Sequence, residues 1–563
     1  MVSRVSHFFT FGRTTIISII FLYLSIPRIL GQNDTFGYFY RIYFKDKGEN
    51  HLNDFTLSEL FSQRAIERRE RQGISGPDSM DIPVFKGYLD MVSAMGLKLH
   101  CKSRWMNTAV FKSPQEADLN SILTLPFVKD VKIVRHPVTK GVHKDKFESE
   151  LKDDANPYDN AIPMVNGEYV HYSGFKGMGK LIAVLDGGFT DFDRVPAFEK
   201  LRDREDGVTG TYDFVKNDSF VYDYHVHGSD VMCILAGDVE GQITGSATDA
   251  SYLLLRTEDT FSEFPVEEDY WAAGAEYADS AGCDIISSSL GYYQFDDPTM
   301  DYKFSDMDGN TAFVTLAARA AISRGIVVVN SAGNERGTAW DHIIAPSDGE
   351  NVICVGAVDW RSVIAAFSSP GPSSDGRIKP DIDAQGVYMT VQVIGITDQM
   401  TELPEIIAVS GTSFSCPLIS GMLACLMQAV PEAKASDIVS VIRAASDRFD
   451  SPDNDYGYGI PDMVKAVTLL QKKYVHSPSN VLSLGPNPFS DHINIIFREN
   501  PEWLEIEVFE GSGRTVFKRS YQYYISLTYL LDELQSLRDG LYFIRLTTSR
   551  GSFSYKVIKV GKQ

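Results

Sequence analysis

Positive charge is scarce in this chain: 53 Lys and Arg stand against 75 Asp and Glu, leaving a net charge of −22 and a pI near 4.9. Such a surface repels phosphate backbones and anionic lipid, so nucleic-acid functions are set aside. Cysteine is scarce as well. The six, Cys101, Cys233, Cys283, Cys354, Cys416 and Cys425, have no metal-site spacing. Most lie in apolar runs such as "DVMCILAG" and "NVICVGAV", where a thiol behaves as a small hydrophobe, and buried thiols are expected rather than disulfides. Long apolar runs are missing beyond the N-terminus. There Arg4 and Arg13 precede an apolar run at about 15–25 and Gly31 precedes a polar stretch, the pattern of a signal peptide over 1–31. A membrane anchor is the competing reading, but the run falls short of the ~20 residues that cross a bilayer, and Pro27 and Arg28 interrupt it. No other segment reads as a span.

Hydrophobic residues at 44% and charged residues at 23% are ordinary for a folded, soluble protein. At roughly 150 residues per domain the length suggests three or four units. Over 37–135, "YFYRIYFKD" and "VKDVKIVRHP" alternate like strands while "AIERRERQ" and "PQEADLNSILTL" look helical, a small α+β module. The arginines of "RAIERRERQG" are interleaved with Glu67 and Glu70 and read as a solvated helix face. The charged stretch "HPVTKGVHKDKFESELKDDANPYDN" reads as a linker, so that 32–150 holds module and linker together. Across 151–472, the apolar runs "LIAVLD", "YLLLRT", "CDIISSSL", "GIVVVNSA" and "NVICVGAV" alternate with helical patterns, which implies a parallel sheet covered on both faces. Functional residues of such sheets collect beyond the strand C-termini. The last unit, 478–563, has strand-like runs "HINIIF", "LEIEVFE", "YFIRLTT" and "SYKVIKV" between turn formers and reads as a small β-sandwich.

Four polar residues stand at strand ends or helix starts. Asp186 ends "KLIAVLD" ahead of Gly187 and Gly188, which let the backbone turn sharply. His227 opens "HGSDVMCILAG", whose Val231, Met232 and Leu235 are spaced for a helix. Asn334 follows the strand of "IVVVNSAGN". Ser413, in "SGTSFSCPLISG", is placed at the start of a helix, with Gly411 permitting a tight approach and Pro417 in the first turn, where its missing N–H breaks no bond. Singly, each has a plain structural reading as loop start, structural histidine, turn former and helix cap. Jointly they supply what a serine hydroxyl needs to attack a carbonyl: a base, a group that orients the base, and donors for the oxyanion.

The chain order Asp, His, Ser is that of subtilisin-type triads. "IAVLDGGF", "HGSDVMCILAG", "VVVNSAGNE" and "SGTSFSCPLISG" resemble the four signature blocks of the subtilisin-like serine peptidases, and "AAFSSPGPSSDGRIKPDIDAQG" resembles a fifth shared stretch. The resemblance implies an α/β fold, a three-layer parallel sheet with helices on both faces, between a small α+β propeptide and a small β-sandwich. It implies Asp186, His227 and Ser413 as the triad, Asn334 in the oxyanion hole, and an acyl-enzyme route for cleaving peptide bonds. It places an extended substrate along Ser289, Leu290 and Gly291, with Ser331, Ala332 and Gly333 as the opposite wall of the primary specificity pocket. Glu335 and Arg336 stand near that wall, and an apolar or aromatic residue before the cleaved bond is expected.

The sequence departs from the family pattern at Gly187, at Asp230 and at Ala384-Gln385-Gly386. Asp230 is expected to bring negative charge near the imidazole and favour its protonated form. No cofactor is required for the chemistry; structural calcium occurs in the family, "DFDR" at 191–194 offers carboxylates, and the metal is left open. The first unit resembles the family's inhibitory propeptides, which implies self-cleavage within about 135–155. The last unit, with "PNPFSDHINI" and "RDGLYFIRLTT", resembles the sorting domains that direct Bacteroidetes proteins through type IX secretion, implying a secreted or cell-surface protein that meets the secretion machinery. A substrate- or carbohydrate-binding module is the alternative for that unit, and a catalytically inactive binding or inhibitory protein the alternative for the whole.

Overall fold

The computed structural model describes residues 37–137, 153–154, 160–396, 401–474 and 479–561. The run read as a signal peptide and nearly all of the linker lie outside the described residues. The N-terminal module is an antiparallel sheet of β1 (Tyr38–Phe44), β2 (Lys98–Ser103), β3 (Thr108–Ser113) and β4 (Val128–Arg135) in the order β2-β3-β1-β4. Helices α1 (Gln63–Gln72) and α2 (Lys86–Ser93) and a short helix at Leu119–Leu123 accompany it, as the alternation of the sequence implied.

Seven parallel strands form the central sheet: β5 (Leu181–Asp186), β6 (Val208–Asp213), β7 (Ser251–Arg256), β8 (Ile285–Ser288), β9 (Val327–Ser331), β10 (Ile353–Val358) and β11 (Ile382–Gln385). Their order is β11-β10-β9-β8-β5-β7-β6. Both faces are covered, which is why "LIAVLD" is apolar throughout: Ile182 and Val184 enter one core, Leu181, Ala183 and Leu185 the other. The first core is filled by α3 (His227–Ala236), α6 (Thr412–Ala429), α7 (Ala435–Ala445) and α8 (Met463–Tyr474), the second by α4 (Val266–Ala281) and α5 (Phe313–Ser323). A hairpin of β12 (Met389–Ile396) and β13 (Glu402–Val409) precedes α6. In contrast to the expectation that no further segment has the character of a span, α6 is long and apolar enough for one; it is the buried core helix of the domain. All six cysteines are free and buried, as expected.

The C-terminal unit is a sandwich with its own core. One sheet has β14 (Val481–Gly485), β15 (Ile493–Phe497) and β18 (Thr528–Leu531); the other has β16 (Leu504–Glu510), β17 (Thr515–Tyr521), β19 (Gly540–Thr548) and β20 (Gly551–Lys559) in the order β17-β16-β19-β20.

The N-terminal module sits on α4 and α5, and its arginines depart from expectation. Arg68 and Arg69 are buried rather than solvated. Arg68 donates to the Cys283 carbonyl at 2.7 Å and to Asp279; Arg69 donates to Asp279 at 2.6 Å and to both oxygens of Asp81 at 2.9 and 3.0 Å. Arg64 and Arg71 reach Asp284 at 2.5 and 3.3 Å. Helical spacing sorts the charges: Arg64, Arg68 and Arg71 share one side, while Glu67 and Glu70 take the exposed one. On β1, Arg41 lies 2.8 Å from both oxygens of Asp269 and 3.5 Å above the Phe313 ring.

His100 gives this docking a pH dependence. Its Nε2 lies 3.1 Å from the Tyr270 hydroxyl and its Nδ1 3.1 Å from the Asn217 amide. Burial first, and then the charges of Lys112, Arg135 and Lys98, push its pKa down to about 3. The docked ring stays neutral where an undocked one protonates near 6.5. Its contribution is therefore complete above pH 6.5 and shrinks as pH falls towards 3, by at most about 1.4 kcal/mol per pH unit for one proton. Hydrogen exchange in β2 followed from pH 7 to 4.5 is expected to show docking weakening with acid and the slope flattening in His100→Gln; an identical slope in both proteins excludes His100 as the source.

Candidate active site

Two glycines bring the end of β5 against the start of α3. The N–H of Gly228 donates to the Gly188 carbonyl at 3.1 Å, and a Cβ on Gly228 would collide with that oxygen. Gly188 has φ +150°, and a Cβ there would collide with the Asp223 carbonyl. With the backbones this close, His227 Nδ1 lies 2.9 and 3.0 Å from Asp186 Oδ1 and Oδ2. Both side chains are buried. Asp186 Oδ1 also accepts the Gly187 N–H at 2.7 Å.

Helix α6 opens at Thr412, with Ser413 second and half-buried. Pro417 lies one turn deeper than expected. Its missing N–H is the one that would have paired with the Ser413 carbonyl four residues back. That carbonyl accepts instead from Ser289 Oγ at 2.8 Å. The expectation for Gly411 also changes: a Cβ there meets the Phe414 ring and Asn334 Nδ2 at only 3.6–3.7 Å. The tight approach belongs to Gly386, whose carbonyl takes the Gly411 N–H at 2.8 Å and whose added Cβ would stand 2.8 Å from the Gly411 oxygen.

Asn334 Oδ1 accepts from the backbone N–H and the Oγ1 hydroxyl of Thr412, both at 3.0 Å. Of the two ends of the amide only the oxygen accepts, so its orientation is fixed, with Nδ2 beside Gly411 at the positive start of α6. Thr412 was not singled out in the sequence, although its hydroxyl also accepts the Gly333 N–H at 3.2 Å and so links the β9 loop to α6. Arg256 was missed as well. It pairs in register with Asp186, donates to the Gly187 carbonyl at 3.0 Å and to Asp213 at 2.8 Å, and stacks 3.6 Å over Tyr224. Its signal was a lone charge inside the apolar run "YLLLRT".

Ser289, Leu290 and Gly291 continue from β8, Ser331, Ala332 and Gly333 end or follow the neighbouring β9, and each segment bonds to the start of α6, through Ser289 on the Ser413 carbonyl and Gly333 on Thr412. The charges of Glu335 and Arg336 are engaged, the first by the Tyr293 hydroxyl at 2.7 Å, the second by Asp455 at 2.7 Å. Gln385 uses its side chain to accept the Asn160 N–H at 3.0 Å. Asp230 is buried in the first turn of α3. In "DFDR", Asp191 is paired with Arg194 at 3.0 Å, and Arg194 also reaches Glu402 at 3.0 Å.

The model of the subtilase family matches residues 177–459, half of the chain and all four polar residues. The chain belongs to the subtilase family. Residues 39–150 match the peptidase S8 propeptide domain of Bacteroidota, and residues 483–560 match a secretion system C-terminal sorting domain, which marks this subtilase as secreted or held at the cell surface. Among curated relatives, serine protease AprX of Bacillus subtilis is 27% identical over 313 residues, covering 50% of this chain and 65% of AprX. The membrane-bound transcription factor site-1 protease of Mus musculus is 27% identical over 308 residues, covering 53% of this chain and 26% of that protein. The chain thus spans less than two thirds of these relatives. The crystal structure of the epidermin leader peptide processing serine protease from Staphylococcus aureus, 15% identical, covers 77% of this chain and 99% of its own with a TM-score of 0.50, and shares the fold.

Proposed function

We propose that this subtilase is a serine endopeptidase that cleaves peptide bonds through an acyl-enzyme on Ser413. The observation that carries the reading is the grip of Asp186 on Nδ1 of His227. A carboxylate there accepts the Nδ1 proton, which leaves Nε2 as the basic nitrogen of the neutral ring. Nε2 takes the proton of Ser413 as Oγ bonds to the scissile carbonyl carbon, and the carbonyl electrons move onto oxygen. Nε2–H then protonates the leaving amine as the C–N bond breaks. Water repeats the cycle on the ester and frees Ser413. Asn334 Nδ2 and the N–H of Ser413, at the start of α6, are assigned to the oxyanion, a role in which one side-chain donor contributes about 3–4 kcal/mol. This chemistry needs no cofactor.

Ser289 has a positioning role in this scheme. Ser289→Ala leaves the Ser413 carbonyl, already without its helical partner, short of a donor, a defect of about 1–2 kcal/mol. A roughly 5- to 30-fold fall in kcat with little change in KM is expected, and Ser289→Thr is expected to recover most of it. Steady-state kinetics on a short peptide check both; a change confined to KM would assign Ser289 to substrate contact instead.

Polypeptides are the proposed substrates, the propeptide the proposed inhibitor, and the secretion machinery the proposed partner of the C-terminal sandwich. The propeptide is covalently attached, so its effective concentration keeps the site occupied until the linker is cut. A fluorophosphonate, which reacts only with an activated serine, tests the whole reading. Labelled protein digested and mapped is expected to carry the probe on Ser413 alone. No label, in a protein shown to be folded, would assign the chain a binding or inhibitory role.

A further inference from the structure

We infer that Ile344 closes the groove beside Ser413 and restricts the residue before the cleaved bond to one with little side chain: glycine, alanine or serine. The inference rests on the peptidase reading and deepens it by naming the substrate class. The two walls of the groove are each tied to the start of α6, one by Ser289 Oγ on the Ser413 carbonyl at 2.8 Å, the other by the Gly333 N–H on Thr412 Oγ1 at 3.2 Å. A side chain entering between them next to Ser413 meets Ile344.

Backbone bonds hold Ile344 across both walls. Its N–H donates to the Ala332 carbonyl at 3.3 Å, and the next residue, Ala345, exchanges bonds with Tyr292 at 2.9 and 3.3 Å. Its side chain spans the gap. A Cβ added to Gly291 would overlap its Cδ1 and Cγ1, and a Cβ added to Gly333 would stand 2.9 and 3.0 Å from the same two atoms. Both walls are therefore glycine where the isoleucine ends, and the isoleucine fills the room that their side chains would take. Carbon atoms pack at about 3.5–4.0 Å, so a methyl that touches both walls leaves no slot for a ring between them. Branching at Cβ restricts χ1, and with 8% of the residue exposed there is little room to swing aside. An aromatic residue before the cleaved bond, the expectation from the resemblance, is excluded by this geometry.

The test uses enzyme matured from the full chain and fluorogenic peptides that differ only in the residue before the cleaved bond: Gly, Ala, Ser, Leu or Phe. Apolar fit of this kind discriminates by about 10- to 200-fold. The wild type is expected to cleave after Ala at least about tenfold better than after Phe in kcat/KM. Ile344→Gly and Ile344→Ala are expected to raise the ratio of cleavage after Phe to cleavage after Ala by at least about tenfold in kcat/KM. Ile344→Val, which keeps the branch and loses one methyl, should fall between and serves if the smaller variants do not fold. Equal cleavage after Ala and Phe by the wild type, or an unchanged ratio in folded variants, overturns the inference. Fluorophosphonate titration of each preparation separates the two failures: labelled enzyme with the wrong preference removes Ile344 alone, whereas unlabelled, inactive enzyme removes the peptidase reading beneath it.

Discussion

Asp186→Asn is expected to lower kcat by about 10⁴-fold with KM nearly unchanged, a larger effect than its single-atom size suggests. The hydrogen bonds around the carboxylate say why. Oδ1 accepts the Gly187 N–H at 2.7 Å, and an asparagine keeps that bond only by leaving its oxygen there. Its Nδ2 must then take the place of Oδ2, 3.0 Å from His227 Nδ1, with the oxygen 2.9 Å from the same nitrogen. With the negative charge gone, the NH₂ group competes with that oxygen for Nδ1 and favours it as an acceptor, which moves the ring proton to Nε2, the atom required as the base. Asp186 has no exposed surface, so solvent does not compete for Nδ1. Asp186→Ala also loses the orienting charge but does not enforce the wrong tautomer, so the asparagine is expected to be no better than the alanine. Steady-state kinetics on one peptide, with circular dichroism to establish folding, check this. A loss under about tenfold in Asp186→Asn would mean that His227 is not the base held by Asp186.

How far the sequence leads is uneven, and particular residues explain why. The buried strands were legible because a sheet covered on both faces leaves no choice of residue, as in "LIAVLD" and "VVVNS". Edge strand β6, "VTGTYD", is mostly half-exposed and mixed in composition, and it escaped notice. Asp186, His227, Asn334 and Ser413 were legible as block motifs, yet their supports were not. The Ser289 hydroxyl answers a carbonyl orphaned by Pro417, and nothing in the linear order joins positions 289 and 417. Ile344 lies between two glycines, 53 residues from Gly291 and 11 from Gly333. "RAIERRERQG" was misread because its composition is that of a solvated helix; the carboxylate shared by its two buried arginines, Asp279, lies on α4, more than 200 residues on. Charge patterning within one helix cannot report a partner that comes from another domain.

Those arginines carry the second large expectation. Asp279 is fully buried and collects three guanidinium groups: Arg68, Arg69 at 2.6 Å and Arg104 at 3.2 Å. Asp279→Asn keeps the shape and removes the charge, and the arginines feel it unequally. Arg69 retains Asp81 within the propeptide, and Arg104 retains the Ser280 hydroxyl at 2.8 Å. Among the described residues Arg68 keeps only the Cys283 carbonyl at 2.7 Å, and it has no exposed surface through which water could solvate it. Stranding one partner of a buried ion pair costs about 3–5 kcal/mol, roughly two to four orders of magnitude in the docking equilibrium. In the Ser413→Ala chain, where self-processing cannot intervene, hydrogen exchange in α1 and β1 is expected to accelerate by that factor while β5 and β8 stay protected. The double replacement Arg68→Met with Asp279→Leu is expected to restore most of the protection, because an apolar pair fills the same space without a desolvated charge. Less than a tenfold change in Asp279→Asn would move the anchor of the propeptide from this carboxylate to the neighbouring pairs of Arg41 and Arg64.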